Sequence, residues 1–318
     1  MRSHAFIDSL GSASMMAQII DGKALALEMK NELKTQIDAW VKLGHRAPTL
    51  RCILVGDDPA SHTYVNNKIQ AAIYVGIDAQ TIKRSKDISE EQLLAEIEQL
   101  NADANVDGIL VQLPVPETIN ERKICNAVAP EKDVDGFHVS NVGKLCLDMP
   151  TLVPATSLAV IQMLKRYNID TLGRNAVVIG RSKNVAMPIA MMLHTDKRHD
   201  SGLGMDATVT ICHRYTPKDQ LEFYCRHADI IVTATGIPKL IKADMVKPGA
   251  TIIDVGITKV TDENGKSRLV GDVDFDEVSK IAGALTPVPG GVGPVTVTML
   301  MHNTFQVAQS RVGKSLTA

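Results

Sequence analysis

The sequence has few aromatic residues and no excess of positive charge. Phenylalanine, tryptophan and tyrosine together make up 3% of the 318 residues, and the formal net charge is −2. Proteins that bind single-stranded nucleic acid stack the bases on aromatic rings, and proteins that bind duplexes present a basic surface. The chain offers neither feature, so we predict a protein that has no nucleic-acid partner.

Disulfide frameworks, zinc sites and membrane spans also find no support in the sequence. The nine histidines form no H-x-x-x-H or H-E-x-x-H set, so a zinc site built by the protein is not expected. The apolar runs fall short of the roughly 20 residues of a membrane-spanning helix, so we predict no membrane partner. The cysteines are odd in number, scattered and without C-x-x-C spacing, which favours a reducing compartment; they are Cys52, Cys125, Cys146, Cys212 and Cys225.

The segment from Thr286 to Thr296 is rich in proline and glycine and reads TPVPGGVGPVT. Proline fixes φ and removes a backbone donor, whereas glycine lets bare backbone approach a neighbour closely. One interpretation is a rigid connector. The other is a loop that presses its backbone against a flat ligand and then leads into an apolar helix, Val295 to Val307.

The first half of the chain alternates strands and helices. Residues 1–17 are rich in Ser, Ala and Met, and we expect a disordered segment that is either a targeting sequence or a cloning remnant. Apolar spacing then predicts a parallel sheet covered by helices. The predicted helices are 24–43, 59–75 and 89–101, and the predicted strands are 50–55, 79–83 and 108–112.

The alternation restarts near residue 154. It predicts helices over 156–167, 186–194 and 217–226 and strands over 175–180, 207–212, 230–233 and 251–255. We therefore predict a two-domain α/β fold. An N-terminal catalytic domain comprises 18–153 plus 287–318, and a Rossmann-like, doubly wound dinucleotide-binding domain comprises 154–286. The C-terminal helix would return to the first domain, which would place the Pro/Gly loop in the cleft between domains, where ligands often bind.

A strand, a tight turn and a helix follow one another from Val177 to Pro188, which reads VVIGRSKNVAMP. In this context a pyrophosphate can bind at the helix N-terminus. The full G-x-G-x-x-G pattern is missing, because Gly180 stands alone with Ser182 and Ala186 where small residues are needed. A purely structural turn is therefore an equal alternative.

The next predicted strand, 207–212, is followed by a basic residue rather than an acidic one. Sites for NAD usually place Asp or Glu there, where the carboxylate holds the ribose hydroxyls. Here residues 211–214 read ICHR, and Arg214 together with Arg181 predicts a pocket for a phosphate group. Taken alone, these two residues favour NADP.

Three segments of the first half carry candidate chemistry. Tyr64 and Lys68 are four residues apart on a predicted helix and share a face, although most helical lysines are simply solvated. Gln112 ends a buried strand, where its amide needs a hydrogen-bond partner. The loop 133–138 brings two acids; Asp133 is interpreted as a turn residue and Asp135 as a site residue.

Together these motifs resemble the methylenetetrahydrofolate dehydrogenase/cyclohydrolase family. They occur in the family's order from about Gln18 to Phe305, and their combination is highly specific. One difference is Ala186, where many members carry glycine. The matching motifs are Tyr64-Val65-x-x-Lys68, VDGILVQLP at 106–114, KDVDGF at 132–137, GRS at 180–182 and PVPGGVGP at 287–294.

The resemblance implies oxidation of 5,10-methylenetetrahydrofolate with NAD, followed by hydrolysis to 10-formyltetrahydrofolate. It makes Lys68 the general acid/base, tuned by Gln112. The pterin would lie between Tyr64 and the Pro/Gly loop, and Asp135 would accept hydrogen bonds from its amino and ring N–H groups. These four residues form the implied catalytic set, and the implied substrate-binding residues are Tyr64, Lys68, Val111, Gln112, Leu113, Asp135, Pro289, Gly290, Gly291, Val292 and Gly293.

The stretch from His194 to Pro217 is similar to the mitochondrial NAD-dependent branch of the family. In that branch inorganic phosphate and Mg²⁺ occupy the place of the NADP 2′-phosphate. This implies Arg181 and Arg214 as phosphate ligands and Asp206 as the Mg²⁺ ligand, while NADP bound directly remains the alternative. The implied cofactor-binding residues are Gly180, Arg181, Ser182, Val185, His213, Arg214, Gly236, Ile257 and Thr296.

The resemblance also implies a homodimer formed through the nucleotide domain, in the mitochondrial matrix, with the cytoplasm as the alternative. Two other function classes remain open. A two-domain dehydrogenase of small hydroxy or keto acids would share the second domain but would not explain the Pro/Gly loop. A folate-binding scaffold without activity would be expected to lose Lys68 or Asp135, and both are present.

Overall fold

The computed structural model describes residues 16–196, 204–261 and 265–315. The strands are β1 (Gln18–Ile19), β2 (Thr49–Val55), β3 (Asp78–Arg84), β4 (Gly108–Val111), β5 (Asn175–Ile179), β6 (Thr208–Cys212), β7 (Ile230–Thr233), β8 (Thr251–Asp254), β9 (Thr258–Thr261), β10 (Ser267–Val270) and β11 (Ala284–Leu285). The helices are α1 (Gly22–Lys42), α2 (Pro59–Val75), α3 (Glu90–Ala102), α4 (Glu121–Ala127), α5 (Val139–Cys146), α6 (Ala155–Arg166), α7 (Ala186–His194), α8 (Lys218–His227), α9 (Phe275–Val278) and α10 (Val292–Ser315). They form two parallel sheets and a hairpin, and the predicted two-domain α/β fold is confirmed.

The smaller sheet has the strand order β3-β2-β4 and is parallel throughout. Helix α2 packs against β2 and β3. It begins at Pro59 because the Asp58 carboxylate accepts the Ser61 N–H over 2.8 Å, and it ends at Gly76, whose φ of +90° suits glycine. These caps and contacts fix the helix that carries Tyr64 and Lys68.

The larger sheet has the order β1-β11-β8-β7-β5-β6, with every pairing parallel. Strands β7 and β8 are buried along their whole length and β5 nearly so, as expected for a sheet covered on both faces. Strand β6 forms one edge of this sheet. The end of β8 lies beside the Pro/Gly loop, in one cavity lining.

The other edge of the larger sheet was not predicted from the sequence. It is β1, which pairs with β11 and is too short to show any periodicity. Ala17, just before it, is buried and donates its N–H to Ser279 O over 2.9 Å, so the fold has begun by this residue. Residues 1–15 of the predicted disordered segment lie outside the described residues.

The antiparallel hairpin of β9 and β10 and the short helices α4 and α5 were also missed. The hairpin strands are half-exposed or exposed and largely polar, so they lack the apolar pattern of a buried strand. The helices have only seven and eight residues, which is about two turns and gives little periodicity to detect.

The C-terminal helix α10 packs against α1, α2 and α6. Most of its buried apolar residues belong to one hydrophobic cluster that also includes residues of those three helices. Asn303 on α10 donates to the Val134 and Val153 carbonyls, both over 2.9 Å. The predicted return of this helix is confirmed, while the boundaries at 153 and 287 stay predictions. No helix in the described part of the chain is long and apolar enough to cross a membrane.

Candidate active site

Lys68 and Gln112 meet between helix α2 and the end of β4. The Gln112 N–H donates to Ile53 O of β2 over 2.9 Å, which holds the residue at the edge of the sheet. Its side-chain Nε2 donates to Leu113 O over 2.6 Å, and Oε1 accepts a hydrogen bond from Lys68 Nζ over 3.0 Å. The amide is therefore oriented so that its oxygen faces the half-buried lysine.

Asp135 lies in a loop that Asp133 holds in shape. The buried Asp133 carboxylate accepts the Gly136 and His138 N–H groups over 3.1 and 2.7 Å and Asn141 Nδ2 over 2.9 Å, so its predicted turn role agrees with these contacts. Asp135 has no hydrogen bond or ion pair to another described residue. Burial raises the pKa of Asp135 to about 6, although the positive charge of Lys68 acts in the opposite direction. A carboxylate with open acceptor sites thus lies within electrostatic range of the lysine.

Cys52 is a further group in this neighbourhood and was not singled out from the sequence. It lies on β2, fully buried, opposite Leu110 of β4. Burial raises the pKa of its thiol to about 12, with Lys68 lowering it and Asp135 raising it further. Cys52 therefore stays a protonated, apolar wall of the site rather than a nucleophile.

A cavity of about 930 Å³ lies between Tyr64 on α2 and the Pro/Gly loop. A third side of the cavity is lined by Asp254, the last residue of β8, and by Ile257, three residues later. The loop residues Pro289 to Gly293, which the resemblance assigns to the substrate site, belong to the lining, whereas Val111, Gln112, Leu113 and Asp135 do not. Lys68, one helical turn after Tyr64, is not part of the lining.

The Pro/Gly loop is pressed against the start of α1. A Cβ added to Gly22 would fall 1.8 Å from Gly291 O, so only glycine fits there. Gly290 has a φ of +107°, a conformation that side-chain-bearing residues rarely adopt. The tight packing holds bare backbone at the cavity wall. The sequence Ile20-Asp21-Gly22-Lys23 predicts a turn, but Gly22 was not predicted to pack against the Pro/Gly loop.

The turn after β5 has the geometry of a dinucleotide-binding turn. Gly180 has a φ of +139°, and a Cβ there would lie 2.6 Å from Ala234 O. Ser182 Oγ accepts the Ala186 N–H over 3.1 Å at the start of α7. Val185 precedes that helix in a non-helical conformation and offers no side-chain cap. The Met187 N–H donates to Ser182 O over 3.1 Å and Pro188 has no N–H, so the first N–H groups of this helix are bonded within the turn or absent.

Arg181 and Arg214 lie just beyond the carboxyl ends of the adjacent strands β5 and β6. Strands β5 and β6 pair with Ile179 opposite Cys212, and each arginine follows its paired residue by two positions. Both arginines are exposed, and the Arg181 guanidinium lies 5.3 Å from the Tyr215 ring centre. Two adjacent guanidiniums can hold one phosphate group.

Family models for two successive domains match this chain. The catalytic-domain model of tetrahydrofolate dehydrogenase/cyclohydrolase matches residues 20–135, and its NAD(P)-binding-domain model matches residues 154–312. The chain belongs to the tetrahydrofolate dehydrogenase/cyclohydrolase family. The resemblance that the sequence motifs indicated is confirmed.

Relatives within the family cover both domains. The human "bifunctional methylenetetrahydrofolate dehydrogenase/cyclohydrolase 2, mitochondrial" is 58% identical over 294 residues, covering 92% of this chain and 84% of the human protein. The structure of a 5,10-methylenetetrahydrofolate dehydrogenase from the silkworm Bombyx mori has 74% identity and a TM-score of 0.89, covering 94% of this chain and 100% of that one. A Trypanosoma brucei dehydrogenase-cyclohydrolase solved with NADP and an inhibitor has 36% identity and a TM-score of 0.86, covering 93% and 99%.

The remaining cofactor residues implied by the family resemblance follow β6, β7 or β8 or lie on α10. Gly236 follows β7 with a φ of +71°, and its carbonyl accepts Thr258 Oγ1 over 3.0 Å. Ile257 is 44% exposed and lines the cavity, so it is available to a ligand. His213 Nδ1 accepts the Tyr215 N–H over 3.2 Å, and Thr296 Oγ1 on α10 donates to Val292 O.

Asp206, the predicted Mg²⁺ ligand, does not lie beside the two arginines in one subunit. It precedes β6, whereas Arg214 follows β6, so the strand separates them by roughly 20 Å. The residues that the structure describes include no group of three or more His, Cys, Asp or Glu side chains that could hold a metal. A metal there would therefore need further ligands, such as phosphate oxygens and water.

Proposed function

We propose that the protein oxidises 5,10-methylenetetrahydrofolate to 5,10-methenyltetrahydrofolate with NAD and then hydrolyses the product to 10-formyltetrahydrofolate. The observation that carries the proposal is the Lys68–Gln112 hydrogen bond beside a cleft that Tyr64 and the Pro/Gly loop enclose. The dinucleotide turn at Gly180 belongs to the other domain. The two reactants would therefore meet in this cleft.

The folate ring would lie between Tyr64 and the backbone of residues 289–293. Tyr64 is 42% exposed in the cavity, so its ring offers a flat apolar face. Asp135 would accept hydrogen bonds from the pterin amino and ring N–H groups. Its open acceptor sites support this role, because a carboxylate pairs most strongly with two donors at once.

In the first step the C–H bond of the methylene carbon breaks and a hydride leaves with both electrons. NAD, when bound, supplies the nicotinamide ring that accepts the hydride. The chain contributes position rather than a proton, because the reaction needs the two carbons in van der Waals contact and correctly aligned. The loop after β8 and the Pro/Gly loop are the segments that would hold them.

In the second step a water molecule adds to the methenyl carbon and gives up a proton. The bond from that carbon to N5 then breaks as N5 gains a proton and the hydroxyl on the carbon loses its own to form the formyl C=O, so that one proton is released overall. Lys68 Nζ would carry the proton between these sites as general acid/base, and Gln112 Oε1 would hold the ammonium in place.

Arg181 and Arg214 would bind an inorganic phosphate beside the adenine ribose of NAD. Two guanidiniums and no acid at the end of β6 support a phosphate pocket. The alternative is NADP, whose 2′-phosphate would enter the same pocket directly. The NAD assignment rests on the similarity of residues 194–217 to the NAD-dependent branch.

A homodimer across β6 would complete the Mg²⁺ site. Strand β6 is an edge of the larger sheet, so a second strand can pair with it. Two copies of one edge strand related by a two-fold axis run antiparallel. The Asp206 end of one strand would then lie beside the Arg214 end of the other, and Asp206 of one subunit with phosphate on the other's arginines would hold the ion.

We further propose the mitochondrial matrix as the location, because the human relative is named mitochondrial; the cytoplasm is the alternative. The proposed domains remain 18–153 plus 287–318 for the folate and 154–286 for the dinucleotide.

The function is tested by a coenzyme comparison. Purified protein is mixed with 5,10-methylenetetrahydrofolate and either NAD⁺ or NADP⁺, with and without phosphate and Mg²⁺, and the absorbance of the reduced coenzyme is followed. Turnover with NAD⁺ that both ions stimulate supports the proposal. Turnover with NADP⁺ but not NAD⁺ would favour the NADP-dependent alternative. If neither coenzyme is reduced, the proposed dehydrogenase activity is wrong.

A further inference from the structure

Two short segments of the second domain carry related tripeptides, DVG at 254–256 and GDV at 271–273. Each aspartate lies against the glycine of the other segment. A Cβ on Gly256 would fall 2.1 Å from Asp272 Oδ1, and a Cβ on Gly271 would fall 2.0 Å from Asp254 Oδ2. Asp254 is 3% exposed and Asp272 is fully buried. We call these two residues the aspartate clasp.

The Asp254 carboxylate sets the course of the chain after β8. Its Oδ1 accepts the Gly256 N–H over 3.0 Å and the Asp272 N–H over 3.1 Å, and its Oδ2 accepts the Val273 N–H over 2.9 Å. The buried N–H groups would otherwise lose their hydrogen bonds, which costs more than an ordinary hydrogen bond gains. The turn that leads to Ile257 is thereby fixed.

The Asp272 carboxylate sets the course of the chain after β7. Its Oδ2 accepts Thr233 Oγ1 over 2.8 Å and the Thr235 N–H over 2.7 Å. Its Oδ1 is buried and has no hydrogen-bond partner. The turn that leads to Gly236 is therefore tied to the same carboxylate pair as the turn after β8.

The Pro/Gly loop is attached to the clasp as well. The Asp254 N–H donates to Thr286 Oγ1 over 2.7 Å, at the residue where the loop begins. Val288 of the loop lies against Gly271, because a Cβ there would fall 2.8 Å from Val288 Cγ2. Asp254 itself reaches the cavity wall. One buried pair thus joins the two turns on the cofactor side to the loop on the folate side.

We propose that Asp254 and Asp272 are positioning residues for hydride transfer, which hold the turns after β7 and β8 and the Pro/Gly loop at a fixed separation. The proposal rests on the proposed dehydrogenase function. Hydride transfer depends steeply on the distance between the reacting carbons, and a misplacement of about 1 Å can cost about 100-fold in rate. The hydrolytic step uses Lys68 on α2 and Gln112 after β4, which belong to the first domain, so the two activities of one enzyme report separately on the clasp.

The pH dependence provides a second readout. Burial raises the pKa of Asp254 to about 7; its backbone donors lower it and the charge of Asp272 raises it. Lys23, Lys30 and Lys259 are the cations that line the same cavity. Protonation of Asp254 weakens its hold on the backbone donors, so dehydrogenase turnover should fall as the pH drops through about 7.

The test compares Asp272→Ala with Asp272→Asn. The alanine removes the acceptor of Thr233 and Thr235, so dehydrogenase kcat should fall by about 10- to 100-fold, while hydrolysis of added methenyltetrahydrofolate should change by less than about threefold. The asparagine keeps one oxygen for both donors and should restore most of the activity. By removing a negative charge it should also shift the acidic limb of the dehydrogenase profile to lower pH.

Asp107→Ala is the matched control. Asp107 is also fully buried and paired, with Arg46 and Arg311, but it lies in the first domain, away from the cavity. Its loss should lower the unfolding temperature and leave both activities per folded molecule unchanged. If Asp272→Ala does not fold, Thr233→Val removes one donor to Asp272 at nearly constant shape and should lower dehydrogenase kcat alone, by a smaller factor.

Equal losses of the two activities in folded Asp272 or Thr233 variants, or no loss in either, would overturn the positioning role while the wild-type enzyme remains active. Wild-type protein that reduces neither coenzyme would overturn the proposed function, and the positioning role with it. If Asp107→Ala also lost dehydrogenase activity while keeping hydrolysis, the selective loss would be a general effect of stability and would count against the positioning role.

Discussion

Arg181 and Arg214 stand at matching positions on adjacent parallel strands, each two residues beyond the paired Ile179 and Cys212. Parallel pairing places equivalent positions at the same level, so both guanidiniums leave the sheet at one edge. A site that a single phosphate can bridge follows from this register, whether the phosphate is inorganic or part of NADP.

Arg214→Ala should abolish the stimulation of NAD⁺ turnover by phosphate and Mg²⁺, because one guanidinium holds the anion less firmly than two. Steady-state rates at increasing phosphate measure the effect. In the wild type, phosphate should compete with NADP⁺, which brings its own phosphate into the pocket. Arg84→Ala is the control, since this exposed arginine lies on β3 in the first domain, where it pairs with Glu96. NAD⁺ turnover indifferent to both ions would contradict the site.

The cross-subunit Mg²⁺ site predicts complementation between two inactive variants. Asp206→Asn and Arg214→Ala should each lose the stimulation by the ions as homodimers. A heterodimer of the two contains one intact site, built from Asp206 of one subunit and Arg214 of the other. Co-expressed and separately tagged chains should therefore regain up to about half of the stimulation per dimer. No recovery in isolated heterodimers would place both residues within one subunit or refute the site.

Lys68→Met should reduce cyclohydrolase turnover by about 100-fold or more, the usual scale for a positioned acid/base group. Methionine keeps nearly the same length but has no proton to exchange. Dehydrogenase turnover should fall less, because hydride transfer needs no proton from the chain. Both rates are followed by absorbance, and Lys34→Met, at an exposed lysine paired with Asp38, serves as the control. The assignment fails if the two activities are retained to the same degree.

Folate binding should weaken at acidic pH through Asp135. Burial raises the pKa of this carboxyl to about 6, and only the ionised form accepts the pterin N–H groups on both oxygens, so affinity should fall as the pH drops through that value. Asp135→Asn should remove this dependence and weaken binding above it by about 1–3 kcal/mol. Titration calorimetry with tetrahydrofolate on both sides of pH 6 measures both effects. An unchanged pH dependence in the variant would exclude Asp135 as the titrating group.

Gly180→Ala should impair the cofactor site and spare the folate site. The added methyl group would lie 2.6 Å from Ala234 O, and the φ of +139° is strained for any side chain. The KM for the coenzyme should rise by about tenfold or more, while hydrolysis of added methenyltetrahydrofolate should be retained. Gly249→Ala is a suitable control, because its φ is also positive, at +82°, but no atom lies within 4 Å of the added methyl. A similar effect of both substitutions would indicate backbone strain in general.

Most regular elements could be predicted because their signals are local. Strand β5 is a continuous apolar run, and α2 begins and ends at the Asp-Pro and Gly signals in its sequence. Capping and burial act over a few residues, so a single chain segment displays them. The short β1 and the polar hairpin have no such pattern and form only because other segments bring a pairing edge or a covering surface to them.

The sequence by itself determined which chemical groups are available and where the strands end: Lys68, Gln112, Asp135, the two arginines and the Pro/Gly loop. Only the tertiary structure decided which groups meet. It joined Lys68 to Gln112 across 44 positions of chain, tied Asp254 to Asp272, and set Asp206 at the far end of β6 from Arg214. Hydrogen bonds reach about 3 Å in space, and separation along the sequence says nothing about that distance once the chain folds back on itself.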